Sequence, residues 1–277
     1  ADYCERYKNT AKKINIEGTK NVVLACKGLE SKLFFISSDY VFNGNNPPYT
    51  EESIPDPVNY YGKTKVIGEQ IVREHLSKFI IIRPPLMYGN DDGTKKSFIT
   101  QVVENLQKSR KIFLDNKIIK YPTITDDVVT AIERLIEQNA NGIYHVSEPE
   151  AITKFAWAIK IAVKYGFSLE TIVEKNDIKV TKRPINAQLD SSKIKELGID
   201  FTSIDDGLDR TYKSEFAKKY NFKIVMSDQV TLEDRGEFGG YAIRRLFTEI
   251  IDGSPENIGF YETTVRPHSV VRNHYHE

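Results

Sequence analysis

The stretch Lys32-Leu33-Phe34-Phe35-Ile36-Ser37-Ser38 decides the fold, because four consecutive apolar residues end there in two hydroxyl side chains. An unbroken apolar run of this length is typical of a parallel strand buried on both faces. A second run, Phe79-Ile80-Ile81-Ile82, ends in Arg83-Pro84-Pro85. Between the two runs lie a loop over residues 43–58, rich in Asn, Pro and Asp, and a helical pattern over 59–76. This alternation predicts the α/β class, with a doubly wound parallel sheet.

The alternation continues on both sides of this stretch. A helix is predicted over 10–27, with Gly28 as its C-terminal stop. The remaining elements expected in this part are helices over 97–108, 126–138 and 155–165 and a short strand over 142–146. Within the segment 59–76, Glu69 and Arg73 stand four residues apart, and this spacing favours an ion pair on a helix surface.

The pattern changes near residues 216–220. Beyond it lie strand-like pieces with Gly and Pro in the turns between them, over 222–226, 241–247, 258–265 and 269–271. This change predicts an α/β domain over 1–220 and the beginning of an all-β domain over 221–277.

Composition excludes several classes of partner. The 277 residues contain 39 Lys plus Arg and 39 Asp plus Glu, so no global basic field is available for nucleic acid or an anionic membrane. A local basic pocket for a phosphorylated ligand remains compatible with this balance. Two cysteines form at most one disulfide, which favours a cytoplasmic location. The longest apolar runs are far shorter than the ~18 residues of a membrane span, and no signal peptide is recognisable.

A candidate catalytic group follows from Ser38, Tyr61 and Lys65. Tyr61 and Lys65 leave the same face of a helix, and Ser38 lies at the carboxyl end of a strand, where doubly wound sheets bind ligands. Hydride reduction of a ketone needs a proton donor such as tyrosine, a nearby ammonium that lowers its pKa, and a hydroxyl that holds the carbonyl. The alternative interpretation is two solvated helix residues and a serine that caps a turn.

An ordered series of segments resembles the dTDP-4-dehydrorhamnose reductases, which are extended short-chain dehydrogenases, over about residues 1–215. The segments that carry the resemblance are 15–19, Ser37 to Gly44, Pro48 to Glu51, Pro57 to Lys65, Gly68-Glu69, Arg83-Pro84, Tyr88-Gly89, Pro122-Thr123, Gly142 to His145, Arg183-Pro184 and Leu189 to Lys193. The resemblance implies a Rossmann-like sheet and a smaller substrate lobe built largely from residues after about 86.

The resemblance also implies roles for individual residues. Tyr61 would donate the proton, Lys65 would assist it and hold the nicotinamide ribose, and Ser38 would replace the family's usual threonine. The implied cofactor contacts are Ser37, Tyr61, Lys65, Arg83 and Pro84, although a salt bridge is an equal alternative for Arg83. The implied substrate contacts are Asp39, Val41, Phe42 and Arg183.

The implied cofactor is NADP, with NAD as the other option, and the implied partner is a nucleotide sugar; a homodimer is a further expectation. The family begins with a strand and a Gly-x-x-Gly-x-x-Gly loop for the cofactor pyrophosphate. No such loop is found in this sequence. We therefore expect an N-terminally truncated reductase domain, inactive as a fragment, whose sheet lacks its first strands.

The C-terminal segment from Tyr261 to His276 resembles the first motif of a cupin barrel, as found in sugar-modifying proteins. His274 and His276 alternate and would share one face of a strand. Because the remaining cupin ligands are not found in the sequence, no metal is predicted, and the two histidines are only weak candidates for ligands.

Together these features predict NADP-dependent reduction of a nucleotide-linked 4-keto-6-deoxysugar for polysaccharide synthesis. The alternatives are a nucleotide-sugar epimerase, a bifunctional reductase–cupin capsule enzyme, and a non-catalytic regulatory subunit similar to the β subunit of methionine adenosyltransferase. Ser38, Tyr61 and Lys65 together favour catalysis.

Overall fold

The computed structural model describes residues 1–89, 96–175, 181–218, 223–224, 241–249 and 258–265. The chain divides into two compact units, Ala1–Thr211 and Tyr212–Glu277. The limit between the two units falls inside helix Ile204–Lys218 and not at residue 220. The domain boundary near residue 220 therefore stays a prediction.

The elements are numbered in chain order. The helices are α1 (Asp2–Arg6), α2 (Lys8–Lys12), a π-helical turn (Lys13–Gly18), α3 (Thr19–Gly28), a 3₁₀ turn (Asp39–Val41), α4 (Tyr60–His75), α5 (Phe98–Gln107), α6 (Thr125–Glu137), α7 (Lys154–Lys164), α8 (Ser192–Lys195) and α9 (Ile204–Lys218). The strands are β1 (Leu33–Ile36), β2 (Phe79–Arg83), β3 (Met87–Tyr88), β4 (Ile112–Leu114), β5 (Ile119–Lys120), β6 (Thr123–Ile124), β7 (Gly142–His145), β8 (Ile152–Thr153), β9 (Ile172–Glu174), β10 (Lys223–Ile224), β11 (Tyr241–Glu249) and β12 (Ile258–Val265).

A parallel sheet of order β1-β2-β7 forms the centre of the first unit. Successive residues of β2 pack into different cores: Ile81 contacts the layer of α3 and α4, whereas Ile80 and Ile82 contact the layer of α6. All three isoleucines are fully buried, and each contributes about 1.5–3 kcal/mol to folding. The prediction of an α/β fold with helices on both faces of a parallel sheet is therefore confirmed.

The segment predicted as a helix over 10–27 is helical throughout, but it is not a uniform α-helix. A π-helical turn separates α2 from α3, and within it Asn15 donates a hydrogen bond to Thr64 on α4, with 3.0 Å between Nδ2 and Oγ1. Helix α3 ends at Gly28, as predicted, although the left-handed conformation falls two residues later on Glu30, with φ at 53°.

A second core lies around Trp157 in a smaller lobe. Helices α5 and α7 pack there beside the strand pairs β4–β9 and β5–β8. This lobe carries Lys120 at the end of β5 and Lys154 at the start of α7.

In the second unit, β10, β11 and β12 form an antiparallel sheet, with Tyr241 opposite Val265. Strands predicted over 241–247 and 258–265 are confirmed. The strand predicted over 269–271, His274 and His276 lie outside the described residues, and the cupin assignment stays a prediction.

Three further observations concern only the described part of the chain. It contains no helix with the length and apolarity needed to cross a membrane. It contains no group of three or more His, Cys, Asp or Glu side chains arranged to hold a metal ion. Cys4 and Cys26 are both free thiols.

Candidate active site

The candidate site forms where β1 ends and α4 begins. Asn59 caps α4 by accepting a hydrogen bond from the Gly62 amide, with 2.9 Å between Oδ1 and N. A side chain at Gly62 would overlap the carbonyl oxygen of Tyr40 and lie 2.8 Å from the Cβ of Pro57. Glycine therefore permits the first turn of α4 to lie directly on the 3₁₀ turn that follows Ser38.

This contact brings Ser38, Tyr61 and Lys65 together. The hydroxyl of Ser38 lies close enough to that of Tyr61 to influence its pKa. Lys65 donates to the carbonyl oxygen of Ile36 at 3.0 Å, and its Nζ lies 5.8 Å from the centre of the Tyr61 ring. The juxtaposition expected from the sequence is therefore present, at the carboxyl end of a strand of the parallel sheet.

Ser38 also caps the 3₁₀ turn, as the alternative interpretation proposed. Its hydroxyl donates to Oδ1 of Asp39 at 2.9 Å and accepts from the Tyr40 amide at 3.2 Å. The two interpretations of Ser38 are compatible, because one hydroxyl oxygen has two acceptor lone pairs and one rotatable proton.

The pKa of Tyr61 is raised, contrary to the expectation that Lys65 lowers it. Burial of the phenol is the main cause, and repulsion from the Asp39 carboxylate adds to it. The nearby Ser38 hydroxyl acts in the opposite direction and lowers the pKa of Tyr61. Tyr61 is therefore held in its protonated form, which is the form that can donate a proton.

Desolvation is the main influence on the pKa of the Lys65 ammonium. Burial lowers its pKa to about 8, against the attraction of Cys4 and Glu69. An ammonium carries three donors, and in the described part of the chain the only acceptor in hydrogen-bond contact with it is the Ile36 carbonyl. The remaining donors are free for the hydroxyls of a bound ligand.

Beneath these residues lies a buried ion pair between Glu69 and Arg83. Their side chains are 1% and 2% exposed, and Arg83 donates to both carboxylate oxygens, at 2.9 and 2.6 Å. Ser37 donates to the same carboxylate at 2.5 Å. Glu69 thus joins α4 to the ends of β1 and β2, and the ion pair with Arg73 expected from their spacing is wrong because Glu69 faces inward.

The network continues to His145, which sequence reasoning did not assign to the site. Arg83 donates a hydrogen bond to Nε2 of His145, with 3.3 Å between the atoms. Because Nε2 accepts this bond, the proton of the neutral ring lies on Nδ1, which donates to the Tyr49 carbonyl at 3.1 Å. Burial, reinforced by Arg83, lowers the pKa of His145 to about 3. The histidine was visible in the sequence only as part of the segment Gly142 to His145.

Several residues assigned to ligand contacts lie instead in the interior. Arg83 is the salt-bridge residue that the sequence left as its alternative. Pro84 accepts a hydrogen bond from the Asp39 amide at 3.0 Å. Val41 and Phe42 are fully buried in a small core, where Phe42 stacks on Tyr49 with 4.2 Å between ring centres. Their side chains pack in this core, and the substrate contacts that the resemblance implied for them stay a prediction.

The other two implied substrate contacts differ from each other. Asp39 is buried, and its pKa is raised because burial outweighs the attraction of Lys120. Its carboxylate accepts a hydrogen bond from the Ser38 hydroxyl. Arg183 is partly exposed, and its guanidinium lies 2.7 Å from Oδ2 of Asp2.

Comparison with known proteins supports this description of the first unit. The bovine (Bos taurus) methionine adenosyltransferase 2 subunit beta is 35% identical over 206 residues, which are 72% of this chain and 62% of that protein. The chain thus spans less than two thirds of the length of this relative. The spore coat polysaccharide biosynthesis protein SpsK of Bacillus subtilis (strain 168) is 31% identical over 202 residues, 72% of this chain and 70% of that protein.

Among solved structures, a dTDP-4-dehydrorhamnose reductase of Bacillus anthracis in complex with NADP superposes with a TM-score of 0.72 and 28% identity. The match covers 77% of this chain and 76% of the reductase. The family model for the RmlD substrate binding domain matches residues 1–216. The chain therefore belongs to the RmlD substrate-binding domain family.

Proposed function

We propose that this protein reduces the keto group of a nucleotide-linked 4-keto-6-deoxysugar with NADPH. The observation that carries the proposal is the meeting of Ser38, Tyr61 and Lys65 at the carboxyl end of the parallel sheet. The B. anthracis reductase, whose structure contains NADP, adds support through its similar fold.

In the proposed reaction, bound NADPH supplies the hydride to the carbonyl carbon. Ser38 turns its proton from Asp39 towards the carbonyl oxygen and holds the substrate in place. Tyr61 then gives its proton to the oxygen as negative charge develops there, and its high pKa keeps that proton available until the charge appears. Lys65 stabilises the phenolate that remains.

The described residues fit part of this cofactor. The Lys65 side chain is half-buried, and its ammonium retains donors for the two hydroxyls of a nicotinamide ribose. Strand β1 is an edge of the described central sheet, so further strands of a cofactor-binding half would pair there.

The test measures NADPH oxidation at 340 nm with a dTDP-4-keto-6-deoxysugar, comparing the full-length protein with its Tyr61→Phe variant. We expect turnover that falls about 10²–10⁴-fold in Tyr61→Phe, the usual contribution of a general acid. Tyr60→Phe is the matched control, because it removes the neighbouring hydroxyl of the same helix and should leave the rate unchanged. Equal rates in Tyr61→Phe and the unmodified protein would refute the assigned proton donor.

A second candidate is a regulatory subunit without turnover. The 35% identity to methionine adenosyltransferase 2 subunit beta favours it. Under this alternative the protein would form a stable complex with a methionine adenosyltransferase in size-exclusion chromatography and would leave NADPH unconsumed with every 4-keto sugar tested. Turnover without complex formation would reject it.

A further inference from the structure

The amide that precedes the candidate proton donor on α4 has an acceptor from another element. The Tyr60 amide donates a hydrogen bond to Oε1 of Glu5 on α1, with 2.6 Å between the atoms. Tyr60 is the first residue of α4, and the first amides of a helix have no acceptor within the helix. The cap residue Asn59 accepts from the Gly62 amide. Glu5 therefore adds a second side-chain acceptor to this turn, at the residue directly before Tyr61.

The hydrogen bond from Tyr60 to Glu5 has the features of a strong one. Its acceptor is a carboxylate, and hydrogen bonds to charged groups are shorter and roughly twice as strong as neutral ones. The dipole of α4 also favours a negative charge at the N-terminus of the helix. Lys8 lies 3.5 Å from Oε2 of Glu5, the other oxygen of the carboxylate. Both oxygens of Glu5 thus have partners that keep the carboxylate at the start of α4.

Helix α1 is itself anchored to a third element, the segment that contains Arg183. Oδ2 of Asp2 accepts from the Arg183 guanidinium at 2.7 Å, and Oδ1 accepts from the Thr181 amide at 3.3 Å. The same segment is tied to α4, because Nδ2 of Asn59 donates to the Lys182 carbonyl at 3.1 Å. Helix α1, the start of α4 and this segment are therefore joined to one another by hydrogen bonds on all three sides.

The position of the Tyr61 hydroxyl depends on the first turn of α4. A tyrosine side chain occupies a small set of rotamers, so the backbone decides where its hydroxyl reaches. The Tyr61 carbonyl accepts from the Thr64 hydroxyl at 2.7 Å, and its ring packs edge-on against that of Tyr40, with 6.0 Å between the ring centres. A misplacement of about 1 Å lowers the rate of an enzyme by as much as ~10²-fold. The bond to Glu5 therefore acts on the place of the proton donor.

We propose that Glu5 is a positioning residue for the reduction. Through the Tyr60 amide it fixes the first turn of α4, so that the Tyr61 hydroxyl stays beside Ser38 when the keto group binds. This role rests on the proposed function. It comes from a contact between residues 55 positions apart, and the sequence did not single out Glu5.

A double-mutant cycle of Glu5→Ala and Tyr61→Phe tests the role, with NADPH oxidation by the full-length protein as the assay. We expect Glu5→Ala to lower kcat about 10–100-fold, the range for a hydrogen bond to a charged group, and to change the KM of the sugar nucleotide less than about twofold. In the Tyr61→Phe background the same change should lower kcat less than about twofold, because no proton donor is left to position.

Two further variants separate positioning from general damage to the fold. Glu5→Gln keeps an oxygen that can accept from the Tyr60 amide and should recover most of kcat. Glu74→Ala removes an exposed carboxylate near the other end of α4 and should leave both kcat and KM unchanged. An unchanged kcat in Glu5→Ala, or equal losses of kcat with and without the Tyr61 hydroxyl, would overturn the positioning role and leave the reduction intact.

Hydrogen exchange distinguishes a failure of this role from a failure of the reaction. Absence of NADPH oxidation by the unmodified protein would reject the reduction together with its proton transfer. The hold of Glu5 on α4 would then be judged by amide exchange in a peptide over residues 59–65, measured by mass spectrometry. We expect the protected amides of this peptide to exchange about 10–100-fold faster in Glu5→Ala than in the unmodified protein. Equal exchange in the two proteins would overturn the positioning of Tyr61.

Discussion

Replacing Glu69 by Gln should destabilise the first unit strongly, because the buried Arg83 would lose its charged partner. The two side chains are 1% and 2% exposed, with 2.6 Å between Oε2 and NH2. Removing one partner of such a buried pair costs about 3–5 kcal/mol, since the other charge remains desolvated. With a urea m-value of about 2–3 kcal/mol/M, the unfolding midpoint should fall by about 1–2.5 M.

Equilibrium unfolding in urea, followed by tryptophan fluorescence, measures this change. Trp157 is the single tryptophan of the chain and is fully buried in the first unit, so its emission reports this unit alone. The matched control is Glu137→Gln, which breaks an Arg134–Glu137 pair of 2.8 Å whose side chains are 44% and 49% exposed. That change should cost about 0–1 kcal/mol. Equal losses in the two variants would refute the argument from burial.

Two further predictions concern pH and helix packing. The folded pKa of His145 is about 3, below its ordinary value of 6.5, so in that interval the unfolded chain binds a proton that the folded chain does not. The neutral His145 therefore contributes to the free energy of unfolding above pH 6.5, and this contribution is lost as the pH falls. Between pH 6 and 4.5, the loss of unfolding free energy, measured in urea, should be about 2 kcal/mol smaller in His145→Gln than in the unmodified protein. Equal losses in the two proteins would contradict this prediction. Gly62→Ala places a Cβ against Tyr40 and should lower the free energy of unfolding by about 1–3 kcal/mol in the same assay. Gly28→Ala is the control and should not destabilise the protein, because no atom lies within 4 Å of the added Cβ. Similar values for both variants would refute the close packing of α4.

The central sheet could be predicted from the sequence because its signal is local. The runs 33–36 and 79–82 are apolar at every position, which is typical of a strand covered on both faces. Ile80, Ile81 and Ile82 of β2 are buried, whereas the side chains of β1 are half-buried. Helix α4 was predictable for a similar reason, since Asn59 caps it and the buried positions Thr64, Gly68 and Val72 recur every four residues along it. The spacing of Tyr61 and Lys65 on that helix followed directly.

Other features depend on contacts that no local pattern contains. Glu69 has the spacing of a surface residue with Arg73, yet its partner comes from a different strand. Val41 and Phe42 belong to a segment that resembles the reductases, but they are buried in a cluster that includes Tyr49. Lys120 likewise donates to the hydroxyl of Tyr40, 80 residues away in the sequence, a contact that is visible only in three dimensions.

Transfer of deuterium from labelled NADPH tests the central claim most directly. The full-length protein would be incubated with a dTDP-4-keto-6-deoxysugar and NADPH carrying deuterium at the transferable position, and the sugar product would be examined by mass spectrometry and NMR. The proposed reaction predicts one deuterium at C4 of the product and, in Tyr61→Phe, a rate lower by about 10²–10⁴-fold. Bound NADPH with no label in the sugar would contradict the assignment as a reductase and would favour the regulatory role.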